Sequence, residues 1–228
     1  MSTVGGVDRP IVVARNRDNV IVADEIVRHR FATRLIHWAV ALTFFIALFS
    51  GMPIWTPIFG WMASLVGGLE AARVIHPYAG VAFFIASIFQ FVHWLPDMHF
   101  EEDQKGWFGP KLISYMRWDQ EPAVEGGKYN GGQKMLFFAV NLAALGFLLT
   151  GIPMWFPLQF PTLLREICII LHDIIFILIF IAIVGHIYLT IAEPGTFRAM
   201  MRGSVTRRWA RFHHPGWYED VSREEPRK

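Results

Sequence analysis

The chain has 228 residues, 54% hydrophobic and 15% aromatic, with a formal net charge of +2. That apolar share is too high for an ordinary soluble domain. Its single cysteine, Cys168, excludes an internal disulfide, covalent haem attachment through a C-x-x-C-H motif, and a cysteine-ligated iron–sulfur cluster.

Residues 1–28 are polar and of mixed charge, and no signal peptide is visible. "PIVVAR" (10–15) and "NVIVAD" (19–24) hold short β-prone runs compatible with a hairpin. We expect an irregular cytoplasmic extension ordered only by a partner.

Charge-free stretches follow. No Asp, Glu, Lys or Arg occurs at 35–69, 74–96 or 135–164, and Asp173 is the only one from 167 to 192. A membrane-spanning helix takes roughly 20 apolar residues, so four spans fit, near 34–56, 74–95, 134–156 and 166–191. Lipid offers backbone groups no partner, so each must be helical. The first span serves as the insertion signal. Pro53 and Pro57 should end or kink it, and Trp55 and Trp61 suit an interface.

Residues 1–34 hold six Lys and Arg, residues 97–134 five, and residues 193–228 eight, which is 19 of 21. All 19 lie on one side of a four-span arrangement, facing Arg73 and Arg165 on the other. The positive-inside rule makes the middle loop and both termini cytoplasmic. This topology accounts for the basic tail, and no nucleic-acid partner is expected. The fold class is therefore an all-α membrane protein, a four-helix transmembrane bundle at 29–195. A cytoplasmic extension at 1–28 and a basic cytoplasmic tail at 196–228 flank it.

"SGMPIWTP" (50–57) returns as "TGIPMWFP" (150–157), each at the outer end of an odd-numbered span. Gly, Pro and Trp there suit helix exit and the interface, so a two-helix unit is repeated. The repeat does not reach the histidines, since Phe137 stands where His37 would recur.

There are nine histidines: His29, His37, His76, His93, His99, His172, His186, His213 and His214. Those within spans are functional candidates, because an ionisable group in lipid is costly. The alternative for any one alone is a neutral imidazole bonded to a neighbouring helix. Spacing favours function. His172 and His186 are 14 residues apart, which returns them to nearly one helix face about 21 Å apart along the axis. By depth, His76 matches His172 at the outer level, and His37 matches His186 at the inner level. Two stacked bis-histidine pairs in a four-helix bundle suit two b-type haems. Gly51, Gly80, Gly146, Gly151 and Gly185 would let a flat ring approach, or else serve helix packing. His93 competes for the inner level but points about 100° away from the face of His76, toward the interface beside Trp94. Asp173 reads as a solvated carboxylate near a helix start. A zinc or di-iron site fits poorly, since ligands so far apart cannot close on one ion and no Glu-x-x-His occurs.

"RHRFATRLIHWAVALTFFIALFSG" (28–51), "HPYAG" (76–80), "GKYNGGQK" (127–134, preceded by Gly126), "GHIYLT" (185–190) and "RRWARFHHPGWYED" (207–220) occur in this order. Together they resemble the cytochrome b, or gamma, subunit of membrane-bound formate dehydrogenases, over about residues 28–220. The resemblance implies an inner haem on His37 and His186 and an outer haem on His76 and His172, the pairing that depth gives independently. It implies partners: an iron–sulfur subunit, fed by a molybdenum- or tungsten-containing subunit that oxidises formate. It implies that this chain passes electrons to a quinone on the cytoplasmic face of the bacterial inner membrane. The quinone pocket would use Asn130, Gly132 and Gln133 at the start of span three, close to His186. Asn and Gln can hydrogen-bond a quinone carbonyl and glycines leave room for its ring; a glycine-rich turn with a polar helix start is the alternative. Lys134 or Tyr129 would assist protonation. The tail residues Trp209, His213, His214 and Trp217 would dock a partner or anionic headgroups.

The nearest rival is the cytochrome b subunit of a nickel–iron hydrogenase or another molybdenum-enzyme complex, which shares the haems and differs in the donor. A haem-free anchor or transporter is the rival of another class. Transporters concentrate polar groups at the midplane, whereas these histidines lie near the two surfaces.

Overall fold

The computed structural model describes residues 11–12, 20–22, 25–100, 113 and 127–223. Most of the amino-terminal extension, and residues 101–112 and 114–126 of the middle loop, lie outside the described residues.

Among the described residues, four helices are long and apolar enough to cross a membrane. They are α1 (Phe31–Trp55), α2 (Leu69–Trp94), α3 (Gly131–Trp155) and α4 (Thr162–Ala192). All four begin before the apolar run does. Glu70 and Arg73 form an exposed ion pair at 3.6 Å in the first turn of α2, and Arg165 sits in the first turn of α4. Charges limit the segment that lipid tolerates, but they do not stop a helix. Asn130 and Gln133 cap α3 reciprocally: Gln133 N–H donates to Asn130 Oδ1 at 2.8 Å, and Asn130 N–H donates to Gln133 Oε1 at 3.1 Å.

Pro53 and Pro153 lie within α1 and α3, two residues before each helix ends. After α1, Thr56 caps a 3₁₀ stretch, Pro57–Val66. Gly67 and Gly68, with φ of 90° and 104°, then turn the chain into α2, a backbone that glycine adopts without strain.

The chain divides into two compact units. One comprises Leu35–Pro96 and Leu136–His186. Its core takes side chains from all four long helices: Val40 and Phe44, Phe83, Val140 with Ala143 and Ala144, and Ile179. Many of the remaining apolar side chains on these helices face outward; Leu42, Phe89, Leu142, Leu178 and Ile181 are examples. That is the expected distribution for helices whose solvent is lipid.

The other unit draws on Met1–Arg34, Asp97–Met135 and Ile187–Lys228. It contains an antiparallel sheet in the order β1 (Ile11–Val12), β2 (Val20–Val22), β3 (Glu25–Val27), β4 (Ser204–Thr206). Three short helices accompany it: α5 (Pro194–Arg202), α6 (Arg207–His213) and α7 (Pro215–Arg223). The expectation of an irregular extension is corrected here. The β-prone runs pair with each other, and β3 pairs with the chain's own tail, Ile26 opposite Val205. Both residues are buried, in a core with Ala199, Ala210, Trp217 and Val221. The ordering partner is thus the carboxy-terminal segment, whose apolar side chains give β3 a surface to bury against.

Candidate cofactor site

In the first unit the four span histidines form two facing pairs. The His76 and His172 rings have centroids 6.2 Å apart, and the His37 and His186 rings 6.3 Å apart. Metal–imidazole bonds of about 2 Å place two axial nitrogens ~4 Å apart and the ring centroids behind them about 6 Å apart. The spacing at both levels therefore fits two imidazoles sharing one iron. Among the described residues no group of three or more His, Cys, Asp or Glu could hold a metal ion. Two imidazoles per level are the donor set that the iron of a tetrapyrrole would take from the protein.

Hydrogen bonds assign the tautomers of the first pair. His76 Nδ1 lies 2.9 Å from the Ala47 carbonyl, which can only accept, so Nδ1 carries the proton. Thr150 Oγ1 donates to the Gly146 carbonyl at 2.7 Å and stands 2.8 Å from His172 Nδ1. With its one proton engaged on Gly146, the hydroxyl accepts from His172 Nδ1–H. Both rings thereby keep an Nε2 lone pair, the form an iron ligand requires. Among the described residues His37 Nδ1 is buried with no hydrogen-bond partner, and the ring meets Trp38 edge-on at 5.2 Å.

The glycines divide into two kinds. A β-carbon on Gly51 would sit 2.7 Å from His76 Cε1, and one on Gly146 would sit 2.7 Å from Ile175 Cδ1. On Gly151 it would lie 3.9 Å from His172 Cε1, and on Gly80 or Gly185 it would meet nothing within 4 Å. Gly51 and Gly146 thus serve close packing, while Gly80 and Gly185 border open space that can take a flat ring. These contacts and the tautomers fit haem b at both levels.

His93 is exposed, its ring 6.2 Å from that of Trp94. Asp173, expected near a helix start, is not there. α4 begins at Thr162, so Asp173 is carried half-buried well inside the helix.

Asn130, Gly132 and Gln133 belong to the second unit. The reciprocal cap engages both amide oxygens of Asn130 and Gln133 and does not use their amide nitrogens. Lys134 is buried and donates its Nζ to the His99 carbonyl. Tyr129 is buried and stacked on His29, ring centroids 5.8 Å apart.

The tail residues proposed for docking are spent internally, which corrects that expectation. Arg28, almost wholly buried, donates Nη2 to the Lys128 carbonyl at 2.8 Å and to His214 Nε2 at 2.9 Å. Its guanidinium lies 4.8 Å from the Trp209 ring and 5.9 Å from the Trp217 ring. His214 and Trp217 are buried, and Trp209 Nε1–H donates to Glu193 Oε1 at 2.9 Å. Burial, then the adjacent Arg28 charge, hold the His214 imidazole well below its ordinary range. His213 is also lowered by burial, against the pull of Glu193.

Gly51 is among the glycines expected to allow a close approach, whereas Thr150 and Ala47 were missed as site residues. Thr150 stands in the repeat, opposite Ser50, and Ala47 lies just outside it.

The family model for prokaryotic cytochrome b561 matches residues 28–203. A cytochrome b556 subunit of formate dehydrogenase from Haemophilus influenzae is 36% identical over 199 residues, covering 86% of this chain and 83% of the relative. In Escherichia coli K12, the cytochrome b556(Fdn) subunit of the nitrate-inducible formate dehydrogenase is 31% identical, covering 89% of this chain and 94% of the relative. The cytochrome b556(fdo) subunit of the same strain is also 31% identical, covering 90% and 97%. Four apolar spans, paired imidazoles and this match agree: the chain is a multi-pass membrane protein and belongs to the prokaryotic cytochrome b561 family, whose membership implies haem b.

Proposed function

We propose that this chain is the membrane-anchoring di-haem cytochrome b subunit of a formate dehydrogenase complex, passing electrons from an iron–sulfur subunit to a membrane quinone. His76 and His172 would hold one haem b, and His37 and His186 the other. When bound, these groups carry single electrons between the two levels. The carrying observation is the pair of facing imidazoles at each level, 6.2 and 6.3 Å between centroids. The relatives' names supply the enzyme class.

The distribution of 19 of 21 Lys and Arg favours cytoplasmic termini in a bacterial inner membrane, with the His76–His172 level outermost. Residues 29–195 then form the cytochrome domain, and residues 1–28 and 196–228 lie in the cytoplasm. The chain's own work is to bind and orient. The four histidines would supply the nitrogens that hold the irons, and Ala47 and Thr150 hold the rings of His76 and His172 in the tautomer that leaves Nε2 free to bind. The apolar core of Phe44, Phe83, Val140 and Ile179 excludes water. Asn130 and Gln133 offer their amide nitrogens to quinone oxygens beside Gly132. A molybdenum- or tungsten-containing subunit would oxidise formate upstream.

The test is a reduced-minus-oxidised absorbance spectrum of the purified complex, with haem extracted and counted per chain. Two non-covalent haem b groups, reduced by formate and reoxidised by quinone, are expected. Reduction by hydrogen but not formate would transfer the chain to a hydrogenase. A folded, cofactor-supplied preparation without haem would make it an anchor.

A further inference from the structure

We propose that the repeated motif at the ends of α1 and α3 is a cradle for the His76–His172 haem, and that Thr150 is a positioning residue that sets this haem's electron affinity through His172. The inference rests on the di-haem reading above and deepens it.

"ALFSGMPIW" (47–55) and "FLLTGIPMW" (147–155) align at a constant offset of 100 residues. At the first and fifth positions both copies contact an outer-level histidine on the next helix in sequence, and at the ninth both tryptophans meet an aromatic ring. At the first position the Ala47 carbonyl accepts a hydrogen bond from His76 Nδ1–H, and the Phe147 ring lies 4.8 Å from that of His172. At the fifth, Gly51 and Gly151 lie against His76 and His172. At the ninth, Trp55 meets Phe176 and Trp155 meets Tyr78, both edge-on at 5.2 Å. The fourth position differs in use. Ser50 donates to the Ile46 carbonyl at 2.6 Å, whereas Thr150 donates to Gly146 and accepts from His172.

Each imidazole is therefore fixed by an oxygen behind its Nδ1: a carbonyl for His76, a hydroxyl for His172. An acceptor at Nδ1 raises the basicity of the ligating Nε2 and locks the ring's rotation about its own bond. A more basic ligand favours the ferric state and lowers the reduction potential. Thr150 acts on the iron through His172 without touching it.

The experiment is a potentiometric titration of the complex, followed by haem absorbance, for wild type, Thr150→Val and Thr150→Ser. His76→Ala identifies the wave belonging to this haem by its disappearance. Thr150→Val should retain two haems and move only that wave to a more positive potential. Thr150→Ser, which keeps the hydroxyl, should titrate like wild type. Loss of this haem in the valine variant with retention in the serine variant also supports the proposal. An unmoved wave in Thr150→Val, an equal shift of both waves, or loss of haem in both variants overturns it. A wild-type preparation without haem overturns the di-haem reading instead, so the two failures are distinct.

Discussion

Gly51 lies so close to the His76 imidazole that a β-carbon there would sit 2.7 Å from Cε1 and 2.9 Å from Nδ1. The ring cannot retreat freely, because its Nδ1 is bonded to the Ala47 carbonyl on the same helix as Gly51. Gly51→Ala should therefore push His76 off its ligating position, while Gly151→Ala, with 3.9 Å to His172 Cε1, should be tolerated. Haem counted per chain should fall by about half in the first variant, from the loss of one of two bis-histidine sites, and stay at wild type in the second. Equal effects of both would show that the close approach at Gly51 does not matter.

Each of His37→Ala, His76→Ala, His172→Ala and His186→Ala should leave about one haem per chain, because each bis-histidine site loses one of its two axial ligands. Combining His37→Ala with His76→Ala should leave none. His93→Ala should keep both. Pyridine haemochrome analysis of purified variants reads this directly. Two haems surviving in the double variant would reject the ligand assignment.

Asn130 separates capping from quinone binding. Asn130→Asp keeps the oxygen that accepts from Gln133 N–H and suits the positive end of α3, but it loses the amide donor. The aspartate variant should fold and accept electrons into its haems at the normal rate, yet reduce quinone at least roughly tenfold more slowly, the cost of a lost hydrogen bond of about 1.5 kcal/mol. Stopped-flow haem reduction and steady-state quinone reduction separate the two steps. Unchanged quinone turnover would confine Asn130 to its cap.

Arg28→Lys should loosen the tail. Lysine has no planar guanidinium to lie against Trp209 and Trp217 while one of its nitrogens donates to both the Lys128 carbonyl and His214 Nε2. Losing buried, charge-assisted bonds costs about 2 kcal/mol, enough for a ~30-fold rise in local opening. Limited trypsin digestion after Arg207, Arg208 and Arg211 measures it. A cleavage rate equal to wild type would show that the guanidinium is replaceable.

The same cluster gives a pH dependence with a definite sign. Arg28 only donates, so His214 Nε2 accepts, and Nδ1–H donates to the Gly127 carbonyl at 3.3 Å. Burial and the nearby Arg28, His213 and His29 lower the His214 value below 6.5, and the Gly127 bond opposes them. Below pH 6.5 the unfolded tail takes up a proton that the packed tail refuses, so packing is complete above that pH and weakens as pH falls beneath it. Hydrogen exchange of tail amides, corrected for intrinsic rate, should show less protection at pH 5.5 than at 7.5. His214→Gln should flatten the profile. A wild-type profile already flat would mean that His214 does not titrate against the fold.

The four spans were legible in the sequence because a lipid-facing helix must exclude charge along its whole length, and 35–69, 74–96 and 135–164 do so. The pairing of the four histidines was legible from helical rise together with the direction of each span. Helix starts were not legible in the same way: α2 begins at Leu69 and α4 at Thr162, because Glu70, Arg73 and Arg165 sit comfortably in first turns. Tertiary structure alone brought Ile26 opposite Val205, a pairing between opposite ends of the chain that no local pattern encodes. It alone turned Trp217 and His214 from apparent docking residues into buried core. It also gave the repeat its use. A sequence shows that Gly51 and Thr150 recur in a motif, but Gly51 meets His76, and Thr150 meets His172, only where neighbouring helices pack. Hydrophobic exclusion acts along the chain and can be read there; the hydrogen bond that selects a tautomer acts across a helix interface and exists only once the helices meet.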